Sequence, residues 1–144
     1  MIEGCIEKGR DYYDGGPRYN TTYIQCCGIG TVTAAVVITT WSHPGRVRSE
    51  AAFAALAGVN PIPASSGNTQ RHRLNRGGDR RLNQALHMAI ITRMTHHDDT
   101  RSYVERRTQE GKTKREIRRC LKRYLAREIY RRLNTAARNE LATT

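Results

Sequence analysis

Two adjacent serines, Ser65 and Ser66, stand before Gly67 in the stretch NPIPASSGNTQRHRLNRGGDRRLN (residues 60–83), and Arg71, Arg73 and Arg76 follow within ten residues of the glycine. A hydroxyl on a turn beside guanidinium groups suits chemistry on phosphate. The serine supplies an oxygen nucleophile, and each arginine offers a planar fork of donors for phosphate oxygens. Pro61 and Pro63 exclude a helix and stiffen an extended path into the turn, while Gly67 permits close approach of a substrate. Serines at such turns ordinarily bond to their own backbone, so the surroundings carry this reading rather than the residue type. No Ser-His-Asp triad is legible; His72 and His87 are candidates for a base only by nearness in sequence. Nor does a set of carboxylates suited to two magnesium ions stand out, because the acids nearby read as helix caps and ion-pair partners.

Charge points to the same partner chemistry. The 144 residues carry a formal net charge of +12. Residues 1–70 balance, with five basic and five acidic side chains, whereas residues 71–132 hold 19 basic against 7 acidic, which accounts for the whole excess. So local a field attracts a polyanion, and nucleic acid is the commonest one. The longest apolar run, Ala34 to Ile38, is far too short to span a bilayer, and no secretory leader is visible, so a cytoplasmic protein without a membrane partner is expected. Cys5, Cys26, Cys27 and Cys120 lack zinc-site spacing and read as free thiols. The run His96-His97-Asp98-Asp99 reads as a solvated, partly capping cluster rather than a metal site.

Several elements must position the serine stretch. Residues 1–23 hold four of the seven tyrosines and show neither helical nor strand periodicity, so they form an irregular lead-in. IQCCGIGTVTAAVVITTW fits a helix-hairpin-helix, whose glycine turn aims backbone amides at a phosphate. Val32, Ala35, Val36 and Thr39 are expected on the apolar side of its second helix, which Trp41 closes. Thr33 stands where a dinucleotide fingerprint needs glycine or alanine, which excludes that motif. Ser49 caps a short helix ended by Gly58 and delivers the chain into the serine loop, from which QRHRLNR returns as a short strand. Asp79 starts a helix to about Met94, with Leu82, Ala85, Leu86, Ala89, Ile90 and Met94 at core spacing. Another helix runs from about Thr100 to Glu110 and stops at Gly111. Thr113 and Glu116 make a capping box for the last helix, with Ile117, Leu121, Tyr124, Leu125, Ile129 and Leu133 as its buried stripe and arginines on the remainder. The fold class expected is mainly α, a small helical domain with long basic C-terminal helices.

The runs CGIGTVTAAVVITTW, RSEAAFAALAGVNPIPASSGNTQRHRLNRGGDRRLNQALHMA and RSYVERRTQEGKTKREIRRCLKRYLAREIYRRL together resemble the C-terminal transposase domain of the insertion-sequence one-ten family. The likeness spans about Ile24 to Leu133, giving a domain at 24–134 between the lead-in and a flexible tail at 135–144. It implies a DNA recombinase that uses a serine nucleophile in this domain, with carboxylates and magnesium in a RuvC-like N-terminal domain. It also implies a structured bridge RNA as guide and a homo-oligomer as the working assembly. The family's serine lies in the SSG turn, which matches Ser66, with Ser65 second. Candidate nucleic-acid contacts are Gly28, Gly30, Thr31, Arg71, Arg73, Arg76, Arg80, Arg81, Arg115, Arg119 and Lys122. Two departures stand out. Cys27 replaces the family's usual proline before the glycine turn, and the RuvC-like half is absent. No cofactor is therefore expected in this chain, magnesium belonging to the missing half. The chain reads as the DNA-binding, strand-cleaving and strand-joining part of a transposase, inactive alone. A non-catalytic nucleic-acid-binding module or a non-functional transposase remnant stands as the alternative.

Overall fold

Alternating caps and stops cut the chain into helices, and a computed structural model describes them over residues 26–68 and 72–143. In order they are α1 (Thr31–Trp41), α2 (Glu50–Leu56), β1 (Ile62–Pro63), β2 (His72–Arg73), α3 (Arg80–His96), α4 (Asp98–Gln109) and α5 (Lys114–Ala142). Side-chain caps set most of the starts: Ser49 accepts from the Ala52 amide, Asp79 from the Leu82 amide, and Thr113 with Glu116 closes the expected capping box. His97 caps α4 by accepting from the Thr100 amide, and Asp98 pairs with Arg101, so the His-Asp run is indeed a capping cluster. The lead-in, and any helix preceding the glycine turn, lie outside the described residues.

Helix α3 is the centre of the packing, with α1 and α5 both against it, while α2 packs on α5. Trp41, Phe53, Leu82, Leu86, Ile90, Ile117, Leu125 and Ile129 are almost wholly buried and form the core. The fold is mainly α, and the strands form one two-residue antiparallel ladder that pairs Ile62 with Arg73 and Pro63 with His72.

Three expectations are corrected. Helix α1 buries Ala34, Val37 and Trp41, whereas Val32 is 78% exposed and Thr39 faces solvent with its hydroxyl bonded to the Ala35 carbonyl. Because α1 is apolar nearly all round, contact with α3 rather than sequence periodicity sets which side is buried. Tyr124 is 56% exposed, and stacks edge-on against Tyr103 instead of joining the core; Ala126 is the small residue that α5 buries beside Leu125. Finally, α5 does not stop near residue 134 but continues to Ala142 and buries Ala137.

Candidate nucleic-acid interface and serine loop

The serine loop is a hairpin held at its base. Asn75 donates from its amide to Asn60 Oδ1 at 2.6 Å and to the Ala55 carbonyl at 3.4 Å, while its own Oδ1 accepts from the Gly77 amide at 2.9 Å. One side chain thus joins the outgoing arm, the returning arm and α2. Below it the Gly78 backbone lies directly on Gly58: a Cβ at Gly78 would stand 2.3 Å from the Gly58 nitrogen. The Asp79 amide then donates to the Leu56 carbonyl at 2.7 Å, which joins the end of α2 to the start of α3. From this base the ladder carries the chain outward, and Ser65, Ser66 and Gly67 are exposed beyond it, with Gly67 in the left-handed region at φ 62°.

The arginines of the stretch divide along the hairpin. Arg71 lies outside the described residues. Arg73 sits on β2 opposite Ile62 and is exposed, whereas Arg76 follows the ladder on the base side, away from the serines along the chain. His72 pairs with Pro63 on the rung nearest the serines. Sequence reasoning missed Asn60 and Asn75. Their only signal was amide side chains at both ends of a proline-stiffened loop, a pattern with many other uses.

Beside the hairpin base begins a basic face shared by α3 and α5. Asn83 donates to the Ala57 carbonyl at 2.8 Å and accepts from Lys122 Nζ at 3.0 Å. Burial, and then Arg119, push the Lys122 ammonium below its ordinary pKa. Arg80, Arg81, Arg115, Arg118, Arg119 and Arg123 make no ion pair among the described residues. The acid nearest the α5 arginines in sequence, Glu116, is engaged in the capping box, where bonds from the Thr113 amide and hydroxyl hold its carboxyl below the usual range. Arg80 and Arg81 rim a shallow groove between α1 and α3 lined by Val32, Val36 and Met88.

The glycine turn is at the other end of α3. Gly28, at φ 86°, lies against the Ala89 carbonyl so closely that a Cβ would come within 2.4 Å of its oxygen. Gly30 caps α1 without a side-chain bond, and Thr31 is exposed in its first turn. Arg93 locks this turn, donating from Nε to the Cys27 carbonyl at 2.7 Å and from Nη1 to Glu128 at 3.1 Å. Burial raises the Cys26 thiol pKa, which keeps it protonated. The glycine turn is thus separated from the serine hairpin by most of the length of α3.

Among the described residues no group of three His, Cys, Asp or Glu side chains could hold a metal ion, so these residues do not fit a magnesium site. No helix among them is long and apolar enough to cross a membrane.

Two sets of likenesses divide the chain. The pattern of the pyruvate formate lyase-like family matches residues 1–37. A trans-4-hydroxy-L-proline dehydratase of Clostridioides difficile is 64% identical over 33 residues, which are 23% of this chain and 4% of the dehydratase. The pattern of the transposase IS116/IS110/IS902 family matches residues 24–105. An insertion element IS110 uncharacterized 43.6 kDa protein of Streptomyces coelicolor is 32% identical over 87 residues, covering 60% of this chain and 22% of that protein. The chain thus spans about a fifth of its insertion-element relative's length. Both family patterns include residues 24–37, which hold the Gly28–Gly30 turn and more than half of α1. The transposase match covers more than half of the residues, including the hairpin base, the serine turn and all of α3: the chain belongs to the IS116/IS110/IS902 transposase family.

Proposed function

We propose that this chain is the DNA-binding and strand-cleaving part of an insertion-sequence transposase, with Ser66 as its nucleophile and Ser65 as the second candidate. The observation that carries the reading is the exposed Ser65-Ser66-Gly67 turn, raised on a ladder whose base is clasped by Asn75 and by the Gly58–Gly78 contact. A clasped base fixes where a nucleophile is presented, and an exposed tip lets a DNA backbone reach it. The Ser66 hydroxyl oxygen attacks the phosphorus, the bond to one bridging oxygen breaks, and that oxygen leaves with the electron pair and takes a proton from solvent. The hydroxyl proton passes to a carboxylate of a RuvC-like half, and reversal of the step on a second strand end joins DNA. Arg71 and Arg73 steady the phosphate, and Gly28, Gly30 and Thr31 present backbone amides to the duplex as a helix-hairpin-helix does. Magnesium, a bridge RNA and a homo-oligomer enter this reading with the RuvC-like half, without which the chain is inactive.

The test mixes the chain with a separately supplied RuvC-like half and DNA, then separates products under denaturing conditions. A protein-DNA adduct that persists in Ser65→Ala and disappears in Ser66→Ala is expected. An adduct lost only in Ser65→Ala transfers the role to that serine, and no adduct in any variant overturns the strand-cleaving reading.

A second reading is favoured by the pyruvate formate lyase-like match of residues 1–37 and by the dehydratase identity over 33 residues. In it the chain is a fusion remnant, with a dehydratase-like segment joined in frame to a transposase-like one and the junction inside residues 24–37. Cys27 in place of the family's proline fits a turn that comes from the other partner. DNA upstream of the reading frame decides between the two: continuing dehydratase-like coding supports the fusion, and RuvC-like motifs support a divided transposase gene.

A further inference from the structure

The arginines of α5 fall into two groups. Arg127 and Arg131 both donate to Glu50, and Arg132 donates to Glu128 beside Arg93, so each of these arginines in the second half of the helix has a carboxylate partner. In the first half Arg118 is half-buried, and its Nε is buried with no hydrogen-bond partner. Lys122, also half-buried, has only the neutral Asn83 oxygen. His87 stands one turn after Asn83 on the same face of α3, toward Lys122, and burial, then Lys122 and Arg118, lower its pKa. A buried guanidinium nitrogen without an acceptor, beside a half-buried ammonium without a carboxylate, is costly for a fold and calls for an anion. Asn83, which holds Lys122, also bonds to the Ala57 carbonyl at the foot of the hairpin. Lys122 therefore stands two hydrogen bonds from the base that presents the serines.

We propose that His87, Arg118 and Lys122 form a seat for a backbone phosphate of duplex DNA, which holds the strand beside the foot of the serine hairpin. The seat rests on the DNA-binding reading above and adds to it the residues that take the phosphate, two of which, His87 and Arg118, are not among the candidate contacts read from the sequence. The guanidinium fork of Arg118 and the ammonium of Lys122 contact phosphate oxygens, and the imidazole gains its proton from solvent when the anion arrives. No covalent step is involved.

The experiment measures binding of the full chain to duplex DNA by fluorescence anisotropy over a range of salt. Each phosphate contact contributes about 0.9 to the slope of log K against log salt. Arg118→Gln and Lys122→Gln should each lower the slope by about one and weaken binding to all sequences alike. Arg131→Gln, whose partner Glu50 keeps Arg127, should leave the slope unchanged. His87→Glu guards against a trivial loss of fold: a carboxylate among these cations should keep or raise the melting temperature while it lowers DNA affinity. An unchanged slope in Arg118→Gln and Lys122→Gln, with wild-type binding still steep in salt, overturns the seat and leaves the DNA reading standing. Absence of salt-dependent binding in the wild-type chain overturns both. A preference for an RNA hairpin over duplex DNA, abolished by the same variants, overturns the assignment to DNA.

Discussion

At the C-terminal end of α3, Arg93 donates to both the Cys27 carbonyl and Glu128, and the same carboxylate takes Arg132. About 15 Å earlier along the same helix, Asn83 offers Lys122 only a neutral oxygen, and Arg118 across from it leaves its Nε without an acceptor. Both ends approach a glycine-tight backbone contact and both are rich in cations, yet only at the first do the cations have a carboxylate partner. Charge that is paired with carboxylate and carbonyl fixes chain to chain, whereas charge left over projects a field. One end of α3 docks the glycine turn, and the other leaves cations next to the serine hairpin for the anionic partner proposed above.

The sharpest way to break this comparison is to add one methyl group at each end. In Gly28→Ala the Cβ meets the Ala89 oxygen, which is fixed inside α3, and the left-handed φ of 86° adds its own strain. A loss of about 4 kcal/mol is expected from overpacking and handedness together. In Gly78→Ala the Cβ meets Gly58 backbone, but no left-handed φ adds strain there, so overpacking acts alone and the loss should be about 2 kcal/mol. Urea unfolding of the two variants measures both. The reverse order of stabilities would show the hairpin base to be the more rigid end, against the division drawn here.

Arg93→Gln comes next in size. It weakens the bond to Cys27 and removes the cation from half-buried Glu128, and about 2–3 kcal/mol should be lost. Lys122→Gln, at the other end, removes an uncompensated cation and should leave stability unchanged or higher. Acid sharpens the contrast. Burial pushes the Glu128 pKa up, but Arg93 and then Arg132 outweigh it and hold the carboxyl below its ordinary 4.5. A depressed folded pKa gives stability that is present above 4.5 and lost as pH falls through the folded value. Arg93→Gln should flatten that acid limb, and thermal melts across the range read it directly.

Sequence showed the local half of this arrangement and missed the long-range half. Ser49, Asp79, Thr113 and Glu116 were legible as caps because the amides they satisfy lie within three residues. Gly58 and Gly111 were legible as stops for the same reason. Val32 and Tyr124 were misplaced because α1 is apolar on every side, and Tyr124 has an aromatic partner, Tyr103, on another helix. Asn75, Asn83 and Arg93 act across 15 to 66 residues of sequence, and no periodicity encodes such a bond. The serine turn was legible from Pro63 and Gly67, yet its clasp was not. The transposase likeness was legible in the ordered motifs, whereas the pyruvate formate lyase-like match of residues 1–37 left no periodic trace, since periodicity reports packing rather than origin.

The smallest expected effect is a titration at His87. On its own helix the flanking Asn83, Gln84, Ile90 and Ile91 carry no charge, and the cations that bear on it are Lys122 and Arg118 from α5. Burial, Lys122 and Arg118, in that order, lower the pKa of the imidazole from 6.5. The unfolded chain then binds more protons than the folded one between the folded value and 6.5, so stability falls as pH drops through that window. His87→Gln should abolish this shallow dependence, and Lys122→Gln should move the window towards 6.5. Bound DNA has the opposite effect, because a phosphate beside the imidazole favours its charged form. Affinity for duplex DNA should therefore rise as pH falls through the same window in which the free chain loses stability, and the rise should vanish in His87→Gln. Parallel melts and anisotropy titrations at matched salt separate the two slopes. If both run in the same direction, the cations around His87 are not facing an anionic partner, and the open end of α3 differs from the closed one only in lacking carboxylates.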